Sequence, residues 1–595
     1  MSVQTNPRKL VQLAPLGFDR VVDGAPVTSS ALLFQFPVEI LSHIVENLSF
    51  SDLATLAQVD NDCRQLARSI QFVHAVFDFR RPWTCEFVEA LEKEIADGSV
   101  SPVYRRHRRI ACCIRRIKLY AHPHVVQGLP VDSWVSRVAS LCAEAFPNLY
   151  SIEWQTPNPQ PMAHRELLVK LQASTAKHIK FDAVWEPLPI LPLTTTITQV
   201  KNPISWNLET LDIMYSVLSE MTGGSSTVYD LVERCGETLR TFVWRNGGPL
   251  VEVTPEILLL LLSRLPHLRH LRLENVLVRG PVQFNPPTLA QRCTITHLDL
   301  RGCDGTIYEW FEGLGTFERL RSLRVNVNPA SDTAAAIRFL ENNTHLIALD
   351  VGRVGASLRS TILPLLRSQF NDLVALRLAW DPEEDEPSAD AFEMIAGIEK
   401  LERLWISGPG RRLGQGYGYR TDAGFSVDHA LVLRSLLPFV QLRLRTLIFT
   451  GDTYTVPGQQ HPLLTPQAPH SYYDTKRLPH GVAVEDYLTP EECKRACGSL
   501  TCFDFEESRR EWRKLEAVAW ERWHHARMRE HAKAYFGGLE RLKMVHVGMR
   551  PVHRDEVLDS DVENGGLGCE KHGQSQRDED GFFVEEFWDK LVTSV

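Results

Sequence analysis

A short pattern, apolar-x-x-apolar-x-apolar, returns along this chain at nearly constant intervals. Clear copies stand at Leu239/Phe242/Trp244, Leu268/Leu271/Leu273, Ile295/Leu298/Leu300, Leu320/Leu323/Val325, Leu346/Leu349/Val351, Leu373/Leu376/Leu378, Leu401/Leu404/Ile406 and Leu444/Leu447/Phe449. From Leu271 to Leu404 the central positions step by 27, 25, 26, 27 and 28 residues. Looser copies precede them at Ile114/Ile117/Leu119, Leu149/Ile152/Trp154 and Ile179/Phe181, and a late one stands at Leu539/Leu542/Met544. Apolar residues two apart make each copy a short strand. The linking segments read as helices. Thr254-Pro255-Glu256 opens the aliphatic run 257–262 with a cap and a first-turn proline, Ser331-Asp332-Thr333 opens 334–340, and Ser388 opens a similar stretch to 398. One strand with one returning helix cannot bury its apolar face alone, whereas stacked copies can. The expected fold class is therefore α/β, a solenoid of short parallel strands with returning helices.

That period lies inside the range of about 20–29 residues of leucine-rich repeats, which the body resembles. The reading divides the chain into a flexible lead (1–30), a small helical segment (31–75) and a repeat body (76–450), irregular to 238 and regular from 239. An insertion with a Pro- and His-rich loop and a charged helix (451–538), a last repeat-like strand (539–550) and an acidic tail with an aromatic end (551–595) follow.

In the helical segment, Ile40, Leu41, Ile44 and Leu48 share one helical face, and Pro37 suits a first turn. Ser51-Asp52 and Asn61-Asp62 are the expected caps of a second and a third short helix. The order Phe36-Pro37, Glu39-Ile40-Leu41, Ile44, Leu48, Ser51-Asp52-Leu53, Leu56, Val59 and Cys63-Arg64 resembles the F-box family, and with the body behind it the fungal-type F-box proteins with leucine-rich repeats. The family usually has Leu where Phe36 stands, and often Trp where Leu66 stands. The resemblance implies that Phe36, Pro37, Ile40, Leu41, Ile44, Leu48, Leu53 and Leu56 face a Skp-type adaptor, which ties the chain to a cullin. It implies a substrate-recognition subunit of an SCF-type ubiquitin ligase, with a protein substrate held on the repeat face. The alternative is a scaffold acting in protein–protein interaction outside ubiquitination. Leu41→Asp or Ile44→Asp is expected to abolish adaptor binding while the body stays folded.

Between the last two apolar positions of successive copies stand Arg272, Asp299, Arg324, Asp350, Arg377 and Trp405. Their charges alternate, so in-register stacking makes a ladder that neutralises itself, or a strip that contacts the substrate together with Trp405, His270, His297 and Arg403. A basic cluster, Arg105, Arg106, Arg108, Arg109, Arg115, Arg116 and Lys118, reads as a solvated edge or as a holder of a phosphorylated segment.

The 595 residues carry a formal net charge of −9, and twelve acidic against five basic residues fall between 550 and 595. The rest is near neutral, which argues against nucleic-acid binding. Twelve cysteines without regular spacing suggest a reducing compartment, cytoplasm or nucleus. The longest aliphatic run, 257–262, is too short for a membrane span. No P-loop, nucleophile elbow or His-Glu-x-x-His occurs, and Gly414, Gly416 and Gly418 lack dinucleotide-site spacing. Cys493, Cys497 and Cys502, with His480, His524 and His525 around them, lack the pair spacing of a zinc site. The expectation is a non-catalytic protein with no cofactor and no metal.

Overall fold

Each clear copy of the repeated pattern forms a strand, and several segments that the pattern missed form strands too. The computed structural model describes residues 29–100, 110–120, 131–156, 170–183, 206–215, 235–246, 250–279, 287–326, 333–354, 358–380, 388–407, 427–439, 442–450, 478, 481–500, 505–547 and 550–559. The expected flexible lead (to residue 28), the acidic tail (from 560), the glycine-rich stretch 414–418, Arg105 to Arg109 and most of the Pro- and His-rich loop lie outside the described residues. The chain divides into two compact units, Met1–Ile295 and Thr296–Val595.

The first unit begins with three helices, α1 (Val38–Glu46), α2 (Phe50–Val59) and α3 (Asn61–Gln71). Strands β1 (His74–Asp78), β2 (Arg116–Tyr120), β3 (Ser151–Thr156), β4 (His178–Ala183), β5 (Thr210–Tyr215), β6 (Thr241–Asn246) and β8 (His270–Glu274) pair in that order, each parallel to the next. A small parallel pair, β7 (Val251–Val253) and β9 (Val276–Val278), stands apart. Helices α4 (Pro82–Val100), α5 (Val131–Glu144), α6 (Pro255–Arg264) and α7 (Pro287–Arg292) lie between strands in sequence. In the second unit β10 (His297–Arg301), β11 (Ser322–Asn326), β12 (Ala348–Val354), β13 (Ala375–Trp380), β14 (Arg403–Ser407), β15 (Thr446–Thr450) and β16 (Met544–Val547) are parallel, and β17 (Arg550–His553) closes the sheet antiparallel to β16. The linking helices are α8 (Gly305–Leu314), α9 (Thr333–Glu341), α10 (Leu363–Gln369), α11 (Ala389–Ala396) and α12 (His429–Leu436), then α13 (Pro490–Leu500), α14 (Phe505–Gly538) and α15 (Arg554–Asp559).

Register explains the core. In the first unit Ile117, Ile152, Ile179, Leu211, Phe242 and Leu271 are lateral neighbours, and all are buried. In the second, Leu298, Leu323, Leu349, Leu376, Leu404, Leu447 and Val545 form the equivalent buried column. A fully buried Leu or Ile is worth about 1.5–3 kcal/mol, and each added strand extends the same buried column. The helices complete the layer: α8 buries Ile307, Trp310, Phe311 and Leu314, and Phe311 meets Phe339 of α9 at 5.8 Å between ring centroids. Polar groups join repeats as well. The hydroxyls of Thr175, Thr238 and Thr294 donate to the carbonyls of Leu149, Leu208 and Leu268 of the preceding repeat, at 3.0, 2.8 and 2.8 Å.

Part of the expected insertion is the returning helix of the last repeat. The C-terminal half of α14 lies against α12, where a Cβ on Gly538 would stand 2.7 Å from Leu437 Cδ2. Tyr535 stacks on Phe449 of β15 and its hydroxyl hydrogen-bonds His429 Nδ1 at 3.0 Å. The N-terminal half carries a separate small core. Leu515 and Ala519 bury against Leu488, and Trp520 and Trp523 take Leu478, Val482 and Tyr487. A capping box opens α13: Thr489 N–H donates to Glu492 Oε2 (2.8 Å) and Glu492 N–H to Thr489 Oγ1 (3.3 Å). The same carboxylate takes both Arg522 guanidinium nitrogens, at 2.6 and 3.1 Å, while Arg522 also donates to Tyr487 O at 2.9 Å.

Arg522 holds the Glu492 carboxyl down to about 2 from its ordinary 4.5. A carboxyl more acidic in the folded chain stabilises it fully above the ordinary value, and that contribution fades as pH falls toward the folded value. We expect Glu492→Gln to lower the melting temperature at pH 6 and the gap from the parent to shrink between about pH 4.5 and pH 2. Calorimetry across that range checks this, and a gap constant with pH would contradict it.

Candidate protein-interaction surfaces

Pro37 precedes α1 without a side-chain cap, whereas α2 and α3 start where side chains satisfy free N–H groups, one or two residues ahead of the expected caps. Ser49, not Ser51-Asp52, caps α2: its hydroxyl accepts from Asp52 N–H (3.2 Å) and Asp52 Oδ2 accepts from Ser49 N–H (3.3 Å). Asp60, not Asn61-Asp62, caps α3, accepting from Cys63 N–H at 2.7 Å. Asp62 is instead buried and accepts from Ser29 N–H at 2.5 Å. On the body side, Gln65 Nε2 donates to Cys113 Sγ at 3.1 Å. Burial, aided by Asp60, pushes the Cys63 thiol up to about 11, so it stays protonated and inert.

The eight residues that the family resemblance assigns to an adaptor separate into two sets. Leu41 and Leu53 are core, packed with Val45, Leu66 and Ala67, and Leu48 and Leu56 are half-buried against that core. The expectation that Leu41 offers exposed surface is corrected here: Leu41 and Val45, four residues apart, share the face of α1 that packs on Leu53 of α2 and Leu66 and Ala67 of α3. Leu66, where the family often carries Trp, belongs to the same core. Phe36, Pro37, Ile40 and Ile44 point to solvent, with Phe36 50%, Ile40 46% and Ile44 37% exposed. Leu32, Phe50 and Val59 on the same bundle are more exposed still. So many large apolar side chains left outside a complete core mark an interaction surface.

Charge ladders run along the other sheet face of both units. In the second unit Asp299, Arg324, Asp350, Arg377 and Trp405 are register neighbours, as the alternation implied. Arg324 donates through Nε to Asp350 and through Nη1 to Asp299 (3.2 Å); Arg377 Nη1 reaches Asp350 at 3.1 Å, and Arg301 Nη2 reaches Asp299 at 2.9 Å. Arg324 and Asp350 are buried. Burial pushes the Asp350 carboxyl up, and the Arg377 and Arg301 charges oppose it. Trp405, expected as an open substrate contact, is 1% exposed. Its ring packs with Ala348, Ala375 and Ile448 under the Arg377 guanidinium, 4.1 Å away, because small neighbours leave room for it on this face. Of the two readings of this strip, a self-neutralising ladder or a substrate contact, the ion pairs form the ladder and largely cover it. Arg272 lies in the first unit, 2.7 Å from Glu274.

The first unit has a ladder that the sequence reading missed. Lys118, Glu153, Lys180 and Asp212 occupy one register position on successive strands. Lys180 Nζ reaches Glu153 at 3.0 Å and Asp182 at 3.3 Å, and Arg245 pairs with Asp212 at 3.0 Å. Burial opposes the charge on Glu153, but Lys180 and Lys118 outweigh it and hold the carboxyl below its ordinary range. The signal was present in the sequence as Leu208-x-x-Leu211-x-Ile213, the unread copy that supplies β5.

Among the described residues, no three His, Cys, Asp or Glu side chains cluster as metal ligands, and Cys493 packs against the Leu488–Leu515 core. Among them, no helix is long and apolar enough to cross a membrane. No family profile matches the chain, and no curated protein does. Among solved structures, a chain of the crystal structure of the Rad7 and Elc1 complex in yeast is similar over 73% of this chain and 98% of its own length, at 12% identity and a TM-score of 0.26. A likeness of that degree carries no functional inference. What stands on the geometry is a large, mostly parallel sheet flanked by helices, with an N-terminal helical region.

Two outcomes follow. Leu41→Asp melts α1 to α3, seen as lost amide-exchange protection there, whereas Ile40→Asp preserves protection. Asp350→Ala leaves Arg324 and Arg377 without their shared carboxylate and costs about 3–5 kcal/mol in denaturant unfolding, whereas Lys400→Ala, at the exposed pair with Asp372, leaves the midpoint unchanged.

Proposed function

We propose that this chain is a non-catalytic interaction scaffold that pairs, through the apolar outer face of its N-terminal bundle, with an adaptor subunit of a larger protein complex. One observation carries the reading: Phe36, Ile40 and Ile44 are exposed at four-residue spacing while Leu41, Val45, Leu53 and Leu66 already complete the bundle core. A large share of each of these side chains stays in contact with water in the isolated fold. Burying the exposed half of each contributes roughly half of the 1.5–3 kcal/mol of a fully buried side chain, and a few such anchors dominate a protein interface.

The finer form of the proposal takes the adaptor as Skp-type and the complex as a cullin-based ubiquitin ligase, in which the chain recruits a protein substrate. The order of residues from Phe36 to Arg64 supports it, and a reducing compartment, cytoplasm or nucleus, goes with it. The scaffold reading needs only the exposed apolar face and is the broader of the two. Ligase function adds the requirement that a bound protein be modified and removed.

The test is co-purification of the full chain with a Skp-type adaptor. Phe36→Asp combined with Ile44→Asp should weaken association at least about tenfold, from the loss of two anchors, with amide-exchange protection of α1 to α3 retained. Undiminished association would refute docking through this face. If association is lost but no protein accumulates in cells carrying the variant, the scaffold form stands and the ligase form falls.

A further inference from the structure

The second unit ends in a basic corner that neither adaptor docking nor the charge ladders use. The backbone sets it up. Arg445 N–H donates to Glu402 O (2.7 Å), Lys543 N–H to Arg445 O (2.8 Å) and Arg554 N–H to Lys543 O (3.0 Å). Glu402, Arg445, Lys543 and Arg554 therefore stand on successive rungs, about 4.8 Å apart. Arg443 and Arg541 lie two residues ahead of Arg445 and Lys543, and the residues between, Leu444 and Leu542, are buried, so both cations of each pair face solvent. The result is a two-by-two block of exposed cations at the wall of a cavity of about 730 Å³.

This arrangement departs from the rule seen elsewhere in the chain. At the equivalent rung before β4 and β5, Lys177 meets Glu209 at 2.7 Å, and one strand back from the corner Lys400 meets Asp372 at 2.6 Å. Here Arg445 has Glu402 at 3.6 Å on one side and Lys543 on the other. Among the described residues no carboxylate pairs with Arg443, Arg541 or Lys543. The like charges on neighbouring rungs stand exposed without a carboxylate between them, and a bound anion would supply a shared counter-charge.

The floor is rigid. Arg554 donates through Nη2 to Phe536 O (2.8 Å) and through Nη1 to the carbonyls of Leu539 (3.3 Å), Leu542 (3.1 Å) and Glu540, which ties the end of α14 to the corner. The cavity lining holds five Arg or Lys against the carboxylates of Glu402, Glu540 and Asp555, an excess of two positive charges. A phosphomonoester at neutral pH carries about −1.5 to −2 with three acceptor oxygens. It fits that excess and that donor set; a single carboxylate does not.

We propose that this corner binds a phosphomonoester dianion presented by a partner protein as a phosphorylated side chain. The proposal stands independently of the adaptor reading. Guanidinium groups of Arg443, Arg445 and Arg541 supply directional donors, and Lys543 adds a mobile point charge.

The experiment uses the full chain at low ionic strength, where screening is weak. Fluorescence anisotropy follows three labelled alanine-rich peptides that differ at one residue: phosphothreonine, threonine or glutamate. The phosphothreonine peptide should bind at least tenfold more tightly than either other, and inorganic phosphate should compete it off. Arg541→Ala with Lys543→Ala should weaken binding tenfold or more at an unchanged melting temperature, and Arg443→Ala should act in the same direction. The proposal is overturned if the phosphothreonine peptide fails to bind, if glutamate serves equally well, or if the double variant binds as the parent does.

Discussion

Parallel pairing in chain order puts whatever stands at one position of a repeat about 4.8 Å from whatever stands there in the next. Every column of side chains in this protein has to be compatible with itself. Apolar columns satisfy the condition by repeating, which is why Leu298 to Val545 remain aliphatic through seven strands. Charged columns satisfy it by alternating, as Lys118, Glu153, Lys180 and Asp212 do. Threonine satisfies it by bonding backward, from Thr175, Thr238 and Thr294 to the previous repeat. The last strand pair leaves the pattern: β17 runs antiparallel to β16.

The N-terminal bundle obeys a different constraint. Helices of nine to eleven residues have two faces to allocate. The inner face takes Leu41, Val45, Leu53 and Leu66, and the outer face keeps Ile40 and Ile44, with Phe36 exposed just ahead of α1. Apolar periodicity alone does not distinguish a face turned toward the protein's own core from one turned toward a partner. Leu41 and Ile40 are adjacent and equally apolar, and only the packing separates them.

The repeat architecture was legible because burial imposes a period on the sequence. Five nearly equal steps between Leu271 and Leu404 have no simpler cause than stacked strands. Linking helices were legible where a capping residue preceded an apolar run, as at Ser388, whose hydroxyl accepts from Ala391 N–H. The first unit was harder to read: its strands are separated by segments of unequal length, and a step from Ile179 to Leu211 exceeds the regular interval. The exposed apolar face was half legible, for the reason just given. Trp405 was misread because alternation along a strand predicts which face a residue occupies, not whether that face is covered. The basic corner was not legible at all. Arg443 and Arg541 are ninety-eight residues apart, and only the pairing of β15 with β16 makes them neighbours.

These distinctions bear on where recognition occurs. A buried guanidinium already shared between two carboxylates, as Arg324 is between Asp299 and Asp350, offers a partner little: engaging it breaks existing bonds and leaves a carboxylate uncompensated in a poorly solvated place. The charge ladder of the second unit is therefore poorly suited to exchange partners, however suggestive its sequence. Surfaces that gain on association are those whose groups are unsatisfied in the isolated fold. By that criterion, the apolar side chains at Phe36, Ile40 and Ile44 and the adjoining cations at Arg443, Arg541 and Lys543 are stronger candidates than the ladder. One gains by losing water, the other by acquiring a counter-charge. A protein with both can hold one partner by burial and respond to the phosphorylation state of another.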